Sequence, residues 1–131
     1  MLISEAEIQL QISWVYTQDI DSTSKFYAEL MRFECLRETA DTRLFRTTHN
    51  AAIGVCRVFG DRVVEPKGGM ISLVTADVDA LHARLLKNGA HIDQPPQRLE
   101  RFGIYRFSLR DPNGYVIEIQ QFDDADWLPS A

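Results

Sequence analysis

The sequence predicts an α+β fold built from two tandem βαβββ modules. Three observations predict it. Strand and helix signals run in the order strand, helix, three strands, and the order then restarts. Ile12-Ser13-Trp14-Val15 returns as Ile71-Ser72-Leu73-Val74, and Asp19-Ile20-Asp21 returns as Asp77-Val78-Asp79. The repeat is about 58 residues, too long for a short-repeat solenoid and right for one duplicated supersecondary unit. The modules should span about 8–60 and about 68–122, within a single domain covering 1–131.

In the first module, Ile8 to Tyr16 alternates apolar with mostly polar residues, which is a strand signal. Asp21 or Ser22 can cap a helix running to about Phe33, with Phe26, Leu30 and Phe33 as its stripe and Tyr27 and Met31 beside it. Glu34–Glu38, Thr42–Thr47 and Ala51–Val58 read as short strands, the last two joined by a His49-Asn50 turn. In the second module Met70–Thr75 is a strand, and Asp77 or Asp79 caps a helix whose face carries Val78, Leu81, Leu85 and Leu86. Gly89 stands where a helix takes its C-terminal glycine. A weak strand follows near Ala90 to Asp93, then a loop-like stretch from Asp93 to Gly103 containing Pro95 and Pro96. Ile104–Arg110 and Tyr115–Phe122 are strands joined by Asp111-Pro112-Asn113-Gly114, residues suited to a type I turn.

Composition excludes several classes. Hydrophobic residues make up 45% and charged residues 25%, an ordinary globular balance. No apolar run approaches the ~20 residues of a membrane span. Nineteen acids against 14 bases give a net charge of −5, with no basic stretch to track phosphates, so no nucleic-acid partner is expected. Cys35 and Cys56 make no disulfide framework, and Met1 to Glu7 carries no cationic leader, so a cytoplasmic location is the expectation. The acidic segment from Asp123 to Asp126, with Trp127, should pack back on the fold or fray.

Two segments carry a family resemblance. Asp19-Ile-Asp-Ser-Thr-Ser-Lys-Phe-Tyr-Ala-Glu-Leu-Met-Arg-Phe-Glu34 resembles the first helix of the vicinal oxygen chelate superfamily. Arg110-Asp-Pro-Asn-Gly-Tyr-Val-Ile-Glu-Ile-Gln-Gln-Phe122 resembles its closing hairpin. The superfamily includes glyoxalase I, bleomycin-resistance proteins, extradiol dioxygenases and related enzymes. Arg32 departs from the Leu-Gly-Phe that usually ends the helix. The resemblance implies that each module curls a mostly antiparallel sheet into half a cup. Helices lie outside, and a ligand site lies where the half-cups meet. It also implies a homodimer. In the metal enzymes, four side chains from the first and last strands of the modules hold a divalent cation.

Strand alternation then assigns faces. Gly54 and Cys56 in the fourth strand face the cup. So do Met70, Ser72 and Val74 in the fifth, and Val116, Glu118 and Gln120 in the last. The first strand has two registers. Counting back from Asp19 by the family's spacing puts Ile12 at the ligand position, with Trp14 and Tyr16 as a stacking platform. Matching Ile12–Val15 to its echo puts Gln11 there, with Ser13 and Val15, and requires a bulge before Asp19. The second is preferred because it sends Ile12, Trp14 and Tyr16 under a helix. The four metal positions then read Gln11 (or Ile12), Gly54, Met70 and Glu118, of which only Glu118 is a normal ligand. No metal or other cofactor is expected. His49, His82 and His91 do not fall at cup positions. The ligand-binding set is Gln11, Ser13, Gly54, Cys56, Met70, Ser72, Glu118 and Gln120, and Glu118 is the residue for any catalytic role. The expected function is metal-independent binding of a small molecule, as in bleomycin-resistance proteins. A lyase or isomerase of the lactoylglutathione lyase type, with an unusual or depleted metal site, is the alternative.

Overall fold

The computed structural model describes residues 7–129. These fall into two units that part between Val64 and Glu65, each built as strand, helix and three strands.

The first unit contains β1 (Gln11–Thr17), α1 (Ile20–Lys25), β2 (Glu34–Glu38), β3 (Thr42–Thr48) and β4 (Ala51–Arg57). Its sheet runs in the order β1-β4-β3-β2, with β1 parallel to β4 and the other pairings antiparallel. Asp19 caps α1, its carboxylate accepting from Ser22 N at 3.2 Å, so the cap lies before the expected Asp21 or Ser22. After Lys25 the helix continues as one π-helical turn, Phe26–Leu30. The buried stripe is Ile20, Thr23, Tyr27 and Met31 rather than the expected Phe26, Leu30 and Phe33, which stay half-buried. That set keeps the ordinary helical spacing of three and four residues counted from Ile20. Tyr27 packs on Phe45 of β3 with ring centroids 5.9 Å apart. The helix exit is Arg32, with φ 62, in the left-handed region where a glycine is usual.

The second unit contains β5 (Met70–Val74), α2 (Val78–Lys87), β6 (Ile92–Leu99), β7 (Ile104–Arg110) and β8 (Val116–Phe122). Its order is β5-β8-β7-β6, again with one parallel pairing, β5 to β8. Asp77 caps α2, accepting from Ala80 N at 3.0 Å, and Gly89 with φ 89 closes it. Val78 and Leu85 are fully buried, while Leu86 stays half exposed. His82 packs edge-on against Phe107 at 5.1 Å, a packing role.

The stretch expected as a loop from Asp93 is strand β6, at the sheet edge. An edge tolerates Pro95 and Pro96 because their missing N–H groups cost no ladder bond, and the register to β7 shifts between Gln94 and Gln97. The turn between β7 and β8 forms as expected. Gly114 N donates to Asp111 O at 3.0 Å, and the Asp111 carboxylate accepts from Asn113 N and Tyr115 N. The acidic segment packs back: Asp123 pairs with Arg98, and Trp127 lies edge-on to Phe122 at 4.7 Å. Among the described residues no helix is long and apolar enough to cross a membrane.

Candidate functional site

Each sheet has one face covered by its helix and one open face, and side-chain alternation sorts residues between them. In β4, Ile53 and Val55 are fully buried toward α1. In β8, Ile117 and Ile119 are buried the same way, joined by Phe107 and Leu109 of β7.

The register of β1 corrects the preferred expectation. Thr17 is fully buried, and its hydroxyl meets that of Thr23 in α1 at 2.9 Å. The same hydroxyl accepts from Asp19 N at 2.9 Å, so strand end and helix cap are locked together without a bulge. Alternation back from Thr17 puts Val15, Ser13 and Gln11 on the helix side, and Ile12, Trp14 and Tyr16 on the open face. Gln11 and Ser13 therefore do not share a face with Gly54. The misleading signal was the Ile12–Val15 echo, which is offset by 59 positions, whereas Asp19–Asp77 is offset by 58. The structure keeps the 58-residue offset from the first strand into the helix cap: Thr75 repeats Thr17, its hydroxyl accepting from Asp77 N at 3.3 Å.

On the open face of the first unit, Trp14 pairs with Gly54 across β1 and β4. The indole lies flat on the glycine, so close that a Cβ at 54 would stand 2.4 Å from Trp14 Cε3. Trp14 remains 43% exposed, leaving part of its ring open. Beside it, Tyr16 accepts from Arg62 Nη1 at 2.7 Å, and the Arg62 guanidinium lies 5.0 Å from the Phe59 ring centroid. Cys56 is buried on this face, its thiol near Arg57 O at 3.4 Å.

The open face of the second unit carries a connected polar cluster. Glu118 is 5% exposed. Its Oε2 accepts from Arg106 Nε at 2.9 Å; its Oε1 accepts from Ser72 Oγ at 2.5 Å and from Gln120 Nε2 at 3.0 Å. Arg106 Nη1 donates to Gln94 Oε1. Ser108, also buried, faces Glu118 across β7 and β8. Met70 and Val74 flank the cluster, 58% and 44% exposed. The structure thus brings Ser72, Glu118 and Gln120 together, with Met70 in the same row of β5. Arg106, Gln94 and Ser108 complete the cluster and are not among the residues expected from the sequence. The alternation of β7 held the signal for two of them. Phe107 and Leu109 under the helix leave Arg106 and Ser108 on the face of Glu118.

The residues at the family's metal positions do not fit a divalent cation. Ile12 and Gly54 offer no donor, Met70 offers a thioether, and both oxygens of Glu118 are already engaged within the chain. Among the described residues no group of three or more His, Cys, Asp or Glu is placed to hold a metal. His49 lies in a turn and His91 is exposed just past α2.

Tandem βαβββ modules, each with a helix-backed sheet and a functionalised open face, define the vicinal oxygen chelate class of fold. The Glyoxalase/Bleomycin resistance protein/Dioxygenase superfamily model matches residues 8–119, and the chain belongs to that superfamily. Solved structures agree on the fold. A lactoylglutathione lyase from Agrobacterium tumefaciens is 18% identical, with a TM-score of 0.71, covering 86% of this chain and 92% of that one. A glyoxalase/bleomycin resistance protein/dioxygenase from Nocardioides is 13% identical, with a TM-score of 0.75, covering 98% and 93%. One from Alicyclobacillus acidocaldarius is 16% identical, with a TM-score of 0.74, covering 92% and 96%. Among curated proteins none matches in sequence.

Proposed function

We propose that this protein binds a small organic molecule without a metal, on the open face of its second module. The observation that supports this best is the cluster around Glu118. A buried carboxylate is neutralised by a buried guanidinium and ringed by amide and hydroxyl groups, with apolar Met70 and Val74 at its margin. A few convergent polar groups beside apolar surface are what a small-molecule site requires.

The competing reading is a lyase or isomerase of the lactoylglutathione lyase type, with Glu118 as general base. It draws on the likeness to the Agrobacterium protein. Against it, Glu118 already accepts three hydrogen bonds, and the positions around it supply no metal shell. Native mass spectrometry of the purified protein, followed by a thermal-shift screen of small molecules in chelator, tests the choice. Stabilisation by an organic ligand in chelator supports the binder. Stabilisation that requires added metal, together with lactoylglutathione lyase turnover, supports the enzyme. The proposed assembly is a homodimer, the commonest symmetric state, and light scattering should then read twice the 15.0 kDa chain mass.

A further inference from the structure

We propose that Arg106 is the built-in cation of this site: its guanidinium does for Glu118 what a bound divalent ion would otherwise do, and its Nη2 edge receives a neutral carbonyl or amide oxygen of the ligand. This rests on the binding reading above and names the ligand chemistry.

A guanidinium has five N–H donors in a planar fork. In Arg106, Nε is committed to Glu118 and Nη1 to Gln94, while Nη2 has no hydrogen-bond partner among the described residues. The two side chains of the pair are only 7% and 6% exposed. The Arg106 side chain nonetheless keeps 7% of its surface exposed. With Nε and Nη1 held, Nη2 is the donor that this buried guanidinium has left for a ligand.

Charge decides what it takes. Arg106 and Glu118 cancel, so the site has no net charge to offer an anion. A carboxylate at Nη2 would place two negative groups on one guanidinium, which opposes binding. A neutral carbonyl or amide oxygen needs only the donors, and the Met70 and Val74 side chains offer apolar surface for the rest of the molecule. A divalent cation meets the opposite obstacle. It must displace a buried, hydrogen-bonded guanidinium and then sit beside it.

The experiment uses the full-length protein labelled with ¹⁵N, observing the Arg106 Nε–H resonance. The probes are benzamide, benzoate and manganese(II). Benzamide should shift the resonance, benzoate should bind about tenfold more weakly or less, and manganese should leave it sharp. Arg106→Lys keeps the charge and loses the planar edge. It should weaken benzamide about tenfold, read by thermal shift, and still exclude manganese. Arg106→Gln removes the cation and should raise manganese affinity about tenfold. Should that variant fail to fold, the lysine variant still decides. Unchanged benzamide binding by Arg106→Lys overturns the proposal, as does manganese broadening in the wild type or no response to benzamide. If other small molecules raise the melting temperature while Arg106 does not respond, the ligand chemistry proposed here fails and the binding reading stands. If nothing binds, both fail.

Discussion

The two modules share a backbone and differ on one face. Trp14 and Gly54 are paired across β1 and β4, and Leu44 of β3 completes the row. The same row of the second module reads Ser72, Glu118 and Ser108. Where one module carries a carboxylate held by a hydroxyl and a guanidinium, the other carries an indole lying on a glycine. The helix-side rows are alike by contrast: Phe45, Ile53 and Val55 in one, Phe107, Ile117 and Ile119 in the other, all essentially buried. Burial under a helix restricts a position to apolar residues that pack. An open face carries no such restriction, so the duplicated unit could become aromatic on one side and ionic on the other.

The largest expected effect breaks the ionic row. Arg106→Leu leaves Glu118 buried without its cation and should cost about 3 kcal/mol in urea unfolding. The double variant Arg106→Leu with Glu118→Leu should recover most of that loss, since an apolar pair of similar size is not charged. If the double variant is no better than the single one, the pair does not behave as a unit.

The helix exits give the next contrast. Arg32 holds a left-handed φ of 62 where the second module has Gly89 with φ 89. Arg32→Gly should stabilise the protein by up to about 1 kcal/mol, and Gly89→Ala should destabilise it by about 1 kcal/mol. Equal signs in thermal unfolding would contradict the equivalence of the two exits. Gly54→Ala tests the aromatic row. Because Trp14 is partly exposed, its indole can swing away from the new methyl group, so the expected readout is red-shifted tryptophan emission with a stability change below about 1 kcal/mol. Tryptophan emission from the Trp127→Phe background isolates the signal.

The smallest effect lies away from both rows. The Arg98 guanidinium, through its hydrogen bond and then its charge, holds the exposed Asp123 carboxyl below its ordinary value of 3.8. A depressed carboxyl adds stability above its unfolded value and loses it as pH falls through the folded one. The advantage of the wild type over Asp123→Asn should therefore be present at neutral pH and fade below pH 3.8. A gap that widens in acid would contradict the pairing.

Much of the fold was legible because its signals are local. Strand alternation, the Asp77 cap and the Asp111–Gly114 turn each depend on a few neighbouring residues, and the element order followed from them, whereas the cap and the buried stripe of α1 fell on other residues than expected. β6 was illegible past Asp93 because Pro95 and Pro96 suppress a strand reading that only the neighbouring β7 makes possible. The face of β1 failed for a different reason. Ile12-Ser13-Trp14-Val15 is apolar at nearly every position, so alternation cannot choose, and the choice rests on Thr17 reaching Thr23. Glu118, Ser72 and Gln120 were legible as one face from strand period alone. Arg106 was legible in position but not in role, since its partner lies twelve residues away on another strand. The route of an arginine side chain is not a property of spacing.

In the function proposed above, the second module's open face takes an organic ligand with no metal. Amide ¹H–¹⁵N spectra of the metal-stripped full-length protein, recorded against a small-molecule fragment panel in chelator, test it most directly. Binding fragments should shift resonances in β5, β7 and β8 around Ser72, Arg106 and Glu118, and adding zinc or nickel should change neither the shifts nor the affinities. Spectra in which fragments shift these resonances only after one equivalent of metal has bound would contradict it.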